Sequence, residues 1–514
     1  MSPELKQPAE IANWLRQRVT GNLVCDSRLL QAGDGFVAWP GAATDGRKFV
    51  RPALNVGAAA ALIERDGLEA FDLTDDRVLA VSGLKAKAGA IACAYHGDPS
   101  ASLAMVAITG TNGKTSTAWW VAQLLSAVQQ PCALVGTLGI GRPPLTGQTI
   151  PALVSTGLTT PDPVLLQARL RDMVNGGTVA CAIEASSIGI VEGRLNATRI
   201  RVAVFTNFTQ DHLDFHGSMA DYWEAKAALF DWPGLAAAVI NIDDPKGVEL
   251  LEQLAPRNCL DIWTVALGES PSARLSAQNL NHTVDGVRFE VVERDAQGAV
   301  VKRLLLGLSL VGQYNVSNVL CALASARALQ VPLAQAVAAC ALLTPVPGRM
   351  ERAGDGGATQ PLVLIDYAHT PDALEKALQA LQPITAQRGG QLWAVVGCGG
   401  DRDASKRPLM AAVAEREAHR VVLTSDNPRS EAPQQILMQM AEGLQRRETA
   451  LIEVDRALAI GMAIAHAHAQ DVVLVAGKGH EDYQEIQGVK RPFSDAAHAC
   501  AALAQWPATL GVTA

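Results

Sequence analysis

The chain has 514 residues, 49% hydrophobic and 18% charged, which supports about two to four cored domains and excludes a disordered chain. A formal charge of −8 and a pI near 5.7 exclude a general binder of nucleic acid or anionic membranes, so an anionic substrate would need locally placed cations. Met1–Lys6 does not read as a signal peptide, and no apolar run approaches the roughly 18 residues of a membrane span.

The nine cysteines (Cys25, Cys93, Cys132, Cys181, Cys259, Cys321, Cys340, Cys398 and Cys500) form no C-x-x-C pair. Most lie in apolar runs, the pattern of buried thiols in a reducing cytosol.

Residues 1–100 read as a small α/β unit. Ile11, Trp14, Leu15 and Val19 recur at helical spacing. Gly33–Ala38 and Thr44–Arg47 combine strand and turn signals, and Gly57–Ile63 turns into another strand. Ser27 and Arg28, after a short apolar run, read either as a surface turn or as a loop holding a nucleotide or sugar hydroxyl.

Residues 101–347 open on the stretch around which the chain is organised, AMVAITGTNGKTS at 104–116. The apolar run reads as a buried parallel strand. It ends in Gly110, Thr111, Asn112, Gly113, Lys114, Thr115 and Ser116, and a helical pattern through Trp119, Trp120, Leu124 and Leu125 follows. Strand, glycine turn, Lys-Thr and helix form a phosphate cradle: backbone N–H groups and the helix N-terminus face an anion, Lys114 reaches the outer phosphates, and the Thr115 hydroxyl can ligate Mg²⁺. Ile108 stands where the general motif has its first glycine.

Further apolar runs at 133–135, 179–183, 202–206 and 236–242, mostly separated by helical stretches, predict a doubly wound parallel sheet. Gly157–Pro161 is a hydroxyl-rich loop, or the N-cap of the helix after it. Two strand ends carry polar chemistry, Glu184-Ala185-Ser186-Ser187 and Asn207–Asp214. Glu184 and His212 at such ends could share a magnesium ion with the phosphate loop. Lys226 has Trp223 and Phe230 at helical spacings; burial against aromatics would leave a neutral amine able to form a carbamate with CO₂, whereas a surface position would leave a snorkelling cation. Gly286–Gly307 reads as a hairpin, and Pro345–Arg349 as a linker.

Residues 348–514 form a second strand–helix series. Four apolar runs end in polar clusters that begin at Asp366, Gly397, Thr424 and Ala476, a placement that predicts one shared crevice. Arg402 and Arg429 offer planar forks for carboxylate or phosphate, and Glu481 an acceptor for an ammonium, so a substrate bearing both an amino group and carboxylates fits.

In this order the motifs closely resemble the Mur ligases of peptidoglycan synthesis. DSR, the GDGFVAWPG…TDGR run, TGTNGKTS, LTTP, EASS, DHLDFHG, the EAK lysine, NVSN, PVPGRME, DYAHTPDALE, GCGGDRD, SDNPR and AGKGHEDYQ cover essentially the whole chain. The resemblance implies an α/β protein of three domains: a UDP-binding domain (1–100), a central P-loop doubly wound ATPase domain (101–347) and a C-terminal Rossmann-like amino-acid domain (348–514).

It also implies a cytoplasmic ATP-dependent ligase, a monomer needing Mg²⁺. Its substrates would be ATP, UDP-N-acetylmuramoyl-L-alanyl-D-glutamate and meso-diaminopimelate, joined through an acyl phosphate. Carried over by motif, Gly110–Ser116 with Asn315, Arg349 and Asp366 match ATP contacts. Ser27, Thr159, Thr160, Ser187 and Arg194 match the UDP-muramoyl-peptide site. Glu184 and His212 match metal ligands beside Thr115, and Lys226 the carbamylated lysine, a further ligand. Arg402, Asp426, Asn427, Pro428, Arg429, Gly477 and Glu481 match the diaminopimelate pocket.

Asp426-Asn427-Pro428-Arg429 resembles the diaminopimelate-adding form, because lysine lacks the distal carboxylate that Arg429 would pair with. Ile188 departs from the polar residue, often histidine, that the family commonly has after Ser186-Ser187. A lysine-adding ligase, a folylpolyglutamate-synthase-like ligase and a nucleotide-hydrolysing switch remain alternatives.

Overall fold

The computed structural model describes residues 6–41, 44–71, 73–149, 152–257, 259–283, 286–354 and 359–506; Met1–Leu5 of the expected leaderless start lie outside them. Three larger sheets follow one another along the chain, with a two-stranded one (Tyr483–Ile486 and Val489–Pro492) after them; their central strands, such as Ala180–Glu184 and Leu362–Asp366, come from apolar runs too short for helices and buried on both faces.

The first sheet takes β1 (Leu23–Val24), β2 (Gly35–Ala38), β3 (Ala60–Glu64) and β4 (Val78–Val81) in sequence order, all parallel. Helices Pro8–Arg16 and Leu84–Tyr95 cover it, with Ile11, Leu15, Leu84, Ala88 and Ile91 in one core. Asp26 accepts from the Arg28 N–H at 2.9 Å and closes the turn that carries Ser27.

The central sheet has ten strands: β5 (Ala104–Thr109), β6 (Cys132–Gly136), β7 (Gly139–Gly141), β8 (Ala180–Glu184), β9 (Val202–Phe205), β10 (Ala237–Asn241), β11 (Asp261–Leu267), β12 (Leu275–Thr283), β13 (Gly286–Arg294) and β14 (Val300–Leu308). Their spatial order is β14-β13-β12-β11-β10-β9-β5-β8-β6-β7. From β5 the chain first builds one side of the sheet, then crosses back over β5 to β9, so the crevice outside their carboxyl ends is a topological switch point. The expected hairpin is present as β13 and β14, antiparallel. Helix Lys114–Ala127 is buried from Thr115 to Leu125, wedged between the sheet and helix Gln313–Ala328, so apolar residues run all round it.

The third sheet comprises β15 (Glu351–Ala353), β16 (Leu362–Asp366), β17 (Leu392–Cys398), β18 (Arg420–Ser425), β19 (Leu451–Ile452) and β20 (Val472–Ala476), in the order β15-β16-β20-β17-β18-β19. Only β15 is antiparallel. The four runs expected to share a crevice are thus neighbouring parallel strands, with their carboxyl ends on one side.

Strands β4, β7, β11, β12, β15 and β19 were not anticipated from the sequence. The expected burial of the cysteines holds for Cys132, Cys181, Cys321, Cys340 and Cys398, but Cys259 and Cys500 are exposed. Among the described residues no helix is long and apolar enough to cross a membrane.

Candidate active site

The turn after β5 takes its shape from two glycines. Gly110 (φ 146°) and Gly113 (φ 81°) lie in the left-handed half of backbone space. A Cβ at Gly110 would fall 1.9 Å from Thr206 Oγ1, and one at Gly113 2.3 Å from Asn318 Oδ1. The loop is tied to the segment after β9: Asn112 N–H donates to Asn207 Oδ1 (2.8 Å), Thr206 Oγ1 to Asn112 O (2.6 Å) and Thr111 Oγ1 to Thr209 O (3.0 Å). Helix Lys114–Ala127 has no side-chain cap, which leaves its first N–H groups facing the cleft as an anion cradle. Lys114 Nζ folds back onto Gly110 O (2.9 Å) and Thr111 O (2.8 Å), and burial pushes its pKa down despite Glu184 and Asp211.

Beside the loop, buried Glu184 accepts from Thr115 Oγ1 (3.0 Å), Thr137 N–H (2.8 Å) and Thr137 Oγ1 (3.3 Å). Glu184 is thus a buried carboxylate held by hydroxyl and amide donors, with Lys114 near enough to feel its charge. That hard-oxygen donor set, with the His212 imidazole in the same cleft, fits Mg²⁺. Burial holds His212 down at about 4, so its ring is neutral at pH 7 and able to coordinate. Among the described residues no group of three or more His, Cys, Asp and Glu side chains forms a metal site; the expected set contains only Glu184 and His212 of these types.

Lys226 is 1% exposed. Its Nζ donates to Gly110 O at 2.7 Å, and burial, reinforced by Lys114, holds its pKa well below the ordinary value. The ring over it is not one of the two expected from spacing. Tyr222, four residues earlier, lies 4.3 Å from Nζ, whereas Trp223 packs edge-on against Phe205 and under Lys246. Tyr222 Oη in turn donates to Thr111 Oγ1 at 3.2 Å, so the lysine and its aromatic neighbour both brace the phosphate loop.

The hydroxyl-rich motifs meet at the end of β8. Thr160 is fully buried and donates to Glu184 O (2.7 Å); Arg194 Nη1 holds Thr160 O (3.0 Å). Thr159 Oγ1 sits 3.0 Å from Thr137 Oγ1, and Ser187 Oγ 2.9 Å from His216 Nε2. Thr159 and Ser187 line the cleft, while Thr160, Arg194 and, in the turn after β1, Ser27 do not.

One cleft of about 950 Å³ joins the phosphate loop to the third sheet. Arg349 Nη2 reaches Thr115 Oγ1 (3.3 Å) with its guanidinium 4.2 Å over the Tyr367 ring. Asn112 Nδ2 donates to Asp372 (3.2 Å), and the buried Asp366 carboxylate accepts from Met350 N–H and Ala368 N–H, both at 2.8 Å. Asn315 Nδ2 donates to Val311 O at 2.8 Å on the same wall.

Sequence reasoning missed Asp211, which lies within 3.5 Å of His212, 3.9 Å of His369 and 3.8 Å of Lys406. Burial alone would push its carboxyl up; His369, His212 and Lys406 outweigh burial and hold it at about 2. The only sequence signal was its place at a polar strand end. Trp119 and Trp120, given no role from sequence, are anchors: their indole N–H groups donate to Thr344 Oγ1 (3.3 Å) and Thr344 O (3.2 Å).

At the carboxyl ends of β17, β18 and β20 the remaining expected residues gather. Asn427 Nδ2 donates to Glu481 Oε2 (2.8 Å), and buried Lys478, not singled out from sequence, bridges Asn427 Oδ1 (3.0 Å) and Glu481 Oε2 (2.9 Å). Arg429, at φ 52°, donates from Nη1 to Gly400 O (2.7 Å) with Glu485 3.9 Å from Nε. Asp426 is buried beside Gly477, and Arg402 is exposed. These residues lie outside the lining of the main cleft.

Residues 108–326 match the Mur ligase middle domain, and residues 348–479 the Mur ligase glutamate ligase domain. Over 503 residues the chain is 57% identical to the UDP-N-acetylmuramoyl-L-alanyl-D-glutamate–2,6-diaminopimelate ligase of Acidovorax sp. (strain JS42), covering 96% of this chain and 97% of that one. A solved structure of a ligase of that name is 35% identical with a TM-score of 0.61, covering 94% of each chain. The MurF ligase of Thermotoga maritima in complex with ADP shares the fold, with a TM-score of 0.63 at 20% identity over 90% of this chain and 94% of that one.

Proposed function

This chain belongs to the Mur ligase family, and from that premise we propose that it joins meso-2,6-diaminopimelate to UDP-N-acetylmuramoyl-L-alanyl-D-glutamate at the expense of ATP. The observation that carries the reading is the cleft in which an uncapped phosphate loop meets the third sheet through Arg349 and Asp372. In this reading residues 1–100 hold the uridine end through Ser27, residues 101–347 hold ATP and the glutamyl end, and residues 348–514 hold the amino acid. The enzyme acts as a cytoplasmic monomer.

A carboxylate acylates amines poorly, so it must first gain a leaving group. The D-glutamyl γ-carboxylate oxygen attacks the γ-phosphorus, the bond to the β-phosphate oxygen breaks, and ADP and an acyl phosphate result. Lys114 and the helix N-terminus offset the charge on the phosphoryl oxygens. Thr115, Glu184, His212 and a carbamylated Lys226 would hold a Mg²⁺ ion, which supplies further charge neutralisation when bound.

Lys226 is suited to that modification because burial favours the uncharged amine, whose nitrogen lone pair forms a bond to CO₂ while the displaced N–H proton leaves to solvent. The amine of diaminopimelate then attacks the acyl carbon, its proton passes to solvent or a base, and the tetrahedral intermediate expels phosphate. Asn112–Asp372 and Arg349–Thr115 hold the third domain against the loop, which keeps water from the acyl phosphate.

The test is phosphate release with ATP, Mg²⁺ and the muramoyl dipeptide, with meso-diaminopimelate or L-lysine added in parallel. Release with diaminopimelate alone, with a new amide product, is expected. Release only with lysine would replace the amino acid, and release without either would reduce the protein to a nucleotide hydrolase.

A further inference from the structure

The third domain contains a fully buried ion pair that the reaction above does not use. Arg456 opens helix Arg456–His466, and Asp495 opens helix Asp495–Gln505. Both side chains have 0% exposure and meet fork to fork, Nε to Oδ1 and Nη2 to Oδ2, each at 2.7 Å. A pair this deep costs much desolvation, and apolar side chains of similar volume commonly replace such pairs without loss of stability. Stability alone is therefore a weak account of it.

The other bonds of the guanidinium supply a better one. Nη1 donates to Ser425 O at 3.1 Å and Nη2 to Ala476 O at 3.0 Å. These are the last residues of β18 and β20, two strands that do not touch because β17 lies between them. Each carbonyl is followed at once by part of the proposed amino-acid pocket, Asp426-Asn427 after one and Gly477-Lys478 after the other.

The two loops close over the end of β17. A Cβ at Gly477 would fall 2.5 Å from Asp426 Oδ2, and one at Gly397 of β17 would fall 2.7 Å from Thr424 O. Lys478 then crosses to Asn427 and Glu481. One guanidinium beneath the sheet thus spans the gap that the pocket must keep.

We propose that Arg456, held in orientation by Asp495, is a positioning residue for the amino-acid substrate: it fixes the separation of the loops after β18 and β20. The inference rests on the reading that this crevice takes diaminopimelate. A lysine keeps the charge but has no fork with which to hold two carbonyls and a carboxylate together. A displacement of about 1 Å in a substrate-holding loop is enough to cost up to roughly 100-fold in rate.

The test uses the full-length enzyme with Arg456→Lys, the double variant Arg456→Met/Asp495→Leu, and Arg429→Ala. KM for diaminopimelate, KM for ATP and the thermal midpoint are measured for each. Both Arg456 variants are expected to raise the KM for diaminopimelate roughly tenfold or more while that for ATP stays within about twofold. The double variant, which leaves neither member of the pair buried without the other, keeps a thermal midpoint near that of the parent.

An unchanged KM for diaminopimelate in a folded Arg456 variant overturns the proposal. Failure of the double variant to fold also overturns it, because the pair would then serve stability. If Arg429→Ala leaves the KM for diaminopimelate unchanged, the reading of the crevice is what fails. If Arg429→Ala raises it and the Arg456 variants do not, only the positioning role fails.

Discussion

Arg429→Ala is the sharpest probe of amino-acid choice. Arg429 sits at φ 52°, and alanine inherits that left-handed backbone without a change of strain class, so the loop is not relaxed by the substitution. Of its five N–H donors, one Nη1 proton is committed to Gly400 O, and Glu485 at 3.9 Å from Nε is beyond hydrogen-bond distance. The fork therefore keeps donors for a distal carboxylate. Hydrogen bonds to a charged group contribute about 1.5–3 kcal/mol each. Two such bonds, less the desolvation of both partners, leave about 3 kcal/mol, which corresponds to a roughly 100-fold rise in the KM for diaminopimelate. The assay is phosphate release at saturating ATP with diaminopimelate titrated, repeated with ATP titrated. The KM for ATP should move less than about twofold. Equal effects on the two constants would refute the assignment, because a general collapse of the third domain would then be the simpler account.

Three further outcomes follow from the same geometry. Lys226→Ala should abolish ligation, with partial recovery when short carboxylic acids are supplied to replace the carbamate; full activity without rescue would remove the lysine from the reaction. Asp211 has its carboxyl held from 3.8 down to about 2, so the folded state binds fewer protons than the unfolded chain between those values. Its contribution, about 2 kcal/mol, is complete above about pH 4 and lost as pH falls to about 2, and acid unfolding of Asp211→Asn should lack that component. Gly113→Ala places a methyl 2.3 Å from Asn318 Oδ1 at φ 81°. It should cost about 1–2 kcal/mol in a urea titration from backbone strain alone and weaken nucleotide binding, while diaminopimelate binding at the third sheet is unaffected.

The sequence displayed the strand ends well because each is a short apolar run that stops at a cluster of polar residues, and the parallel order of β16, β20, β17 and β18 turns those clusters into neighbours. The phosphate loop was legible for the same reason, with Gly110 and Gly113 at the two positions where a Cβ has no room. Side-chain destinations were less accessible. Thr160 reads as a ligand contact, yet it is fully buried and its hydroxyl donates to Glu184 O, while half-buried Arg194 donates from Nη1 to Thr160 O. Spacing drew attention to Lys226, but Trp223 and Phe230 were the wrong rings, because the i−4 neighbour Tyr222 lies on its face too and only packing decides between them. The Asp211 cluster draws on three segments distant in sequence, and no local pattern encodes the angle between two domains.

Thr344 and Asp366 together define where this protein can bend. Trp119, Trp120 and Gln123 of the phosphate-loop helix clamp Thr344, and Asp366 clamps Met350 N–H on the far side. A swing of the third domain must be taken up between these clamps, in Pro345–Arg349. Arg349 is itself inside that interval, with its guanidinium at Thr115 and over Tyr367. The segment between the clamps and the cation placed at the glycine loop are thus one piece of chain. In the proposed reaction, a swing of the third domain would carry the Arg349 guanidinium away from Thr115 in the same motion, so that domain opening and loss of a cation at the loop are one event.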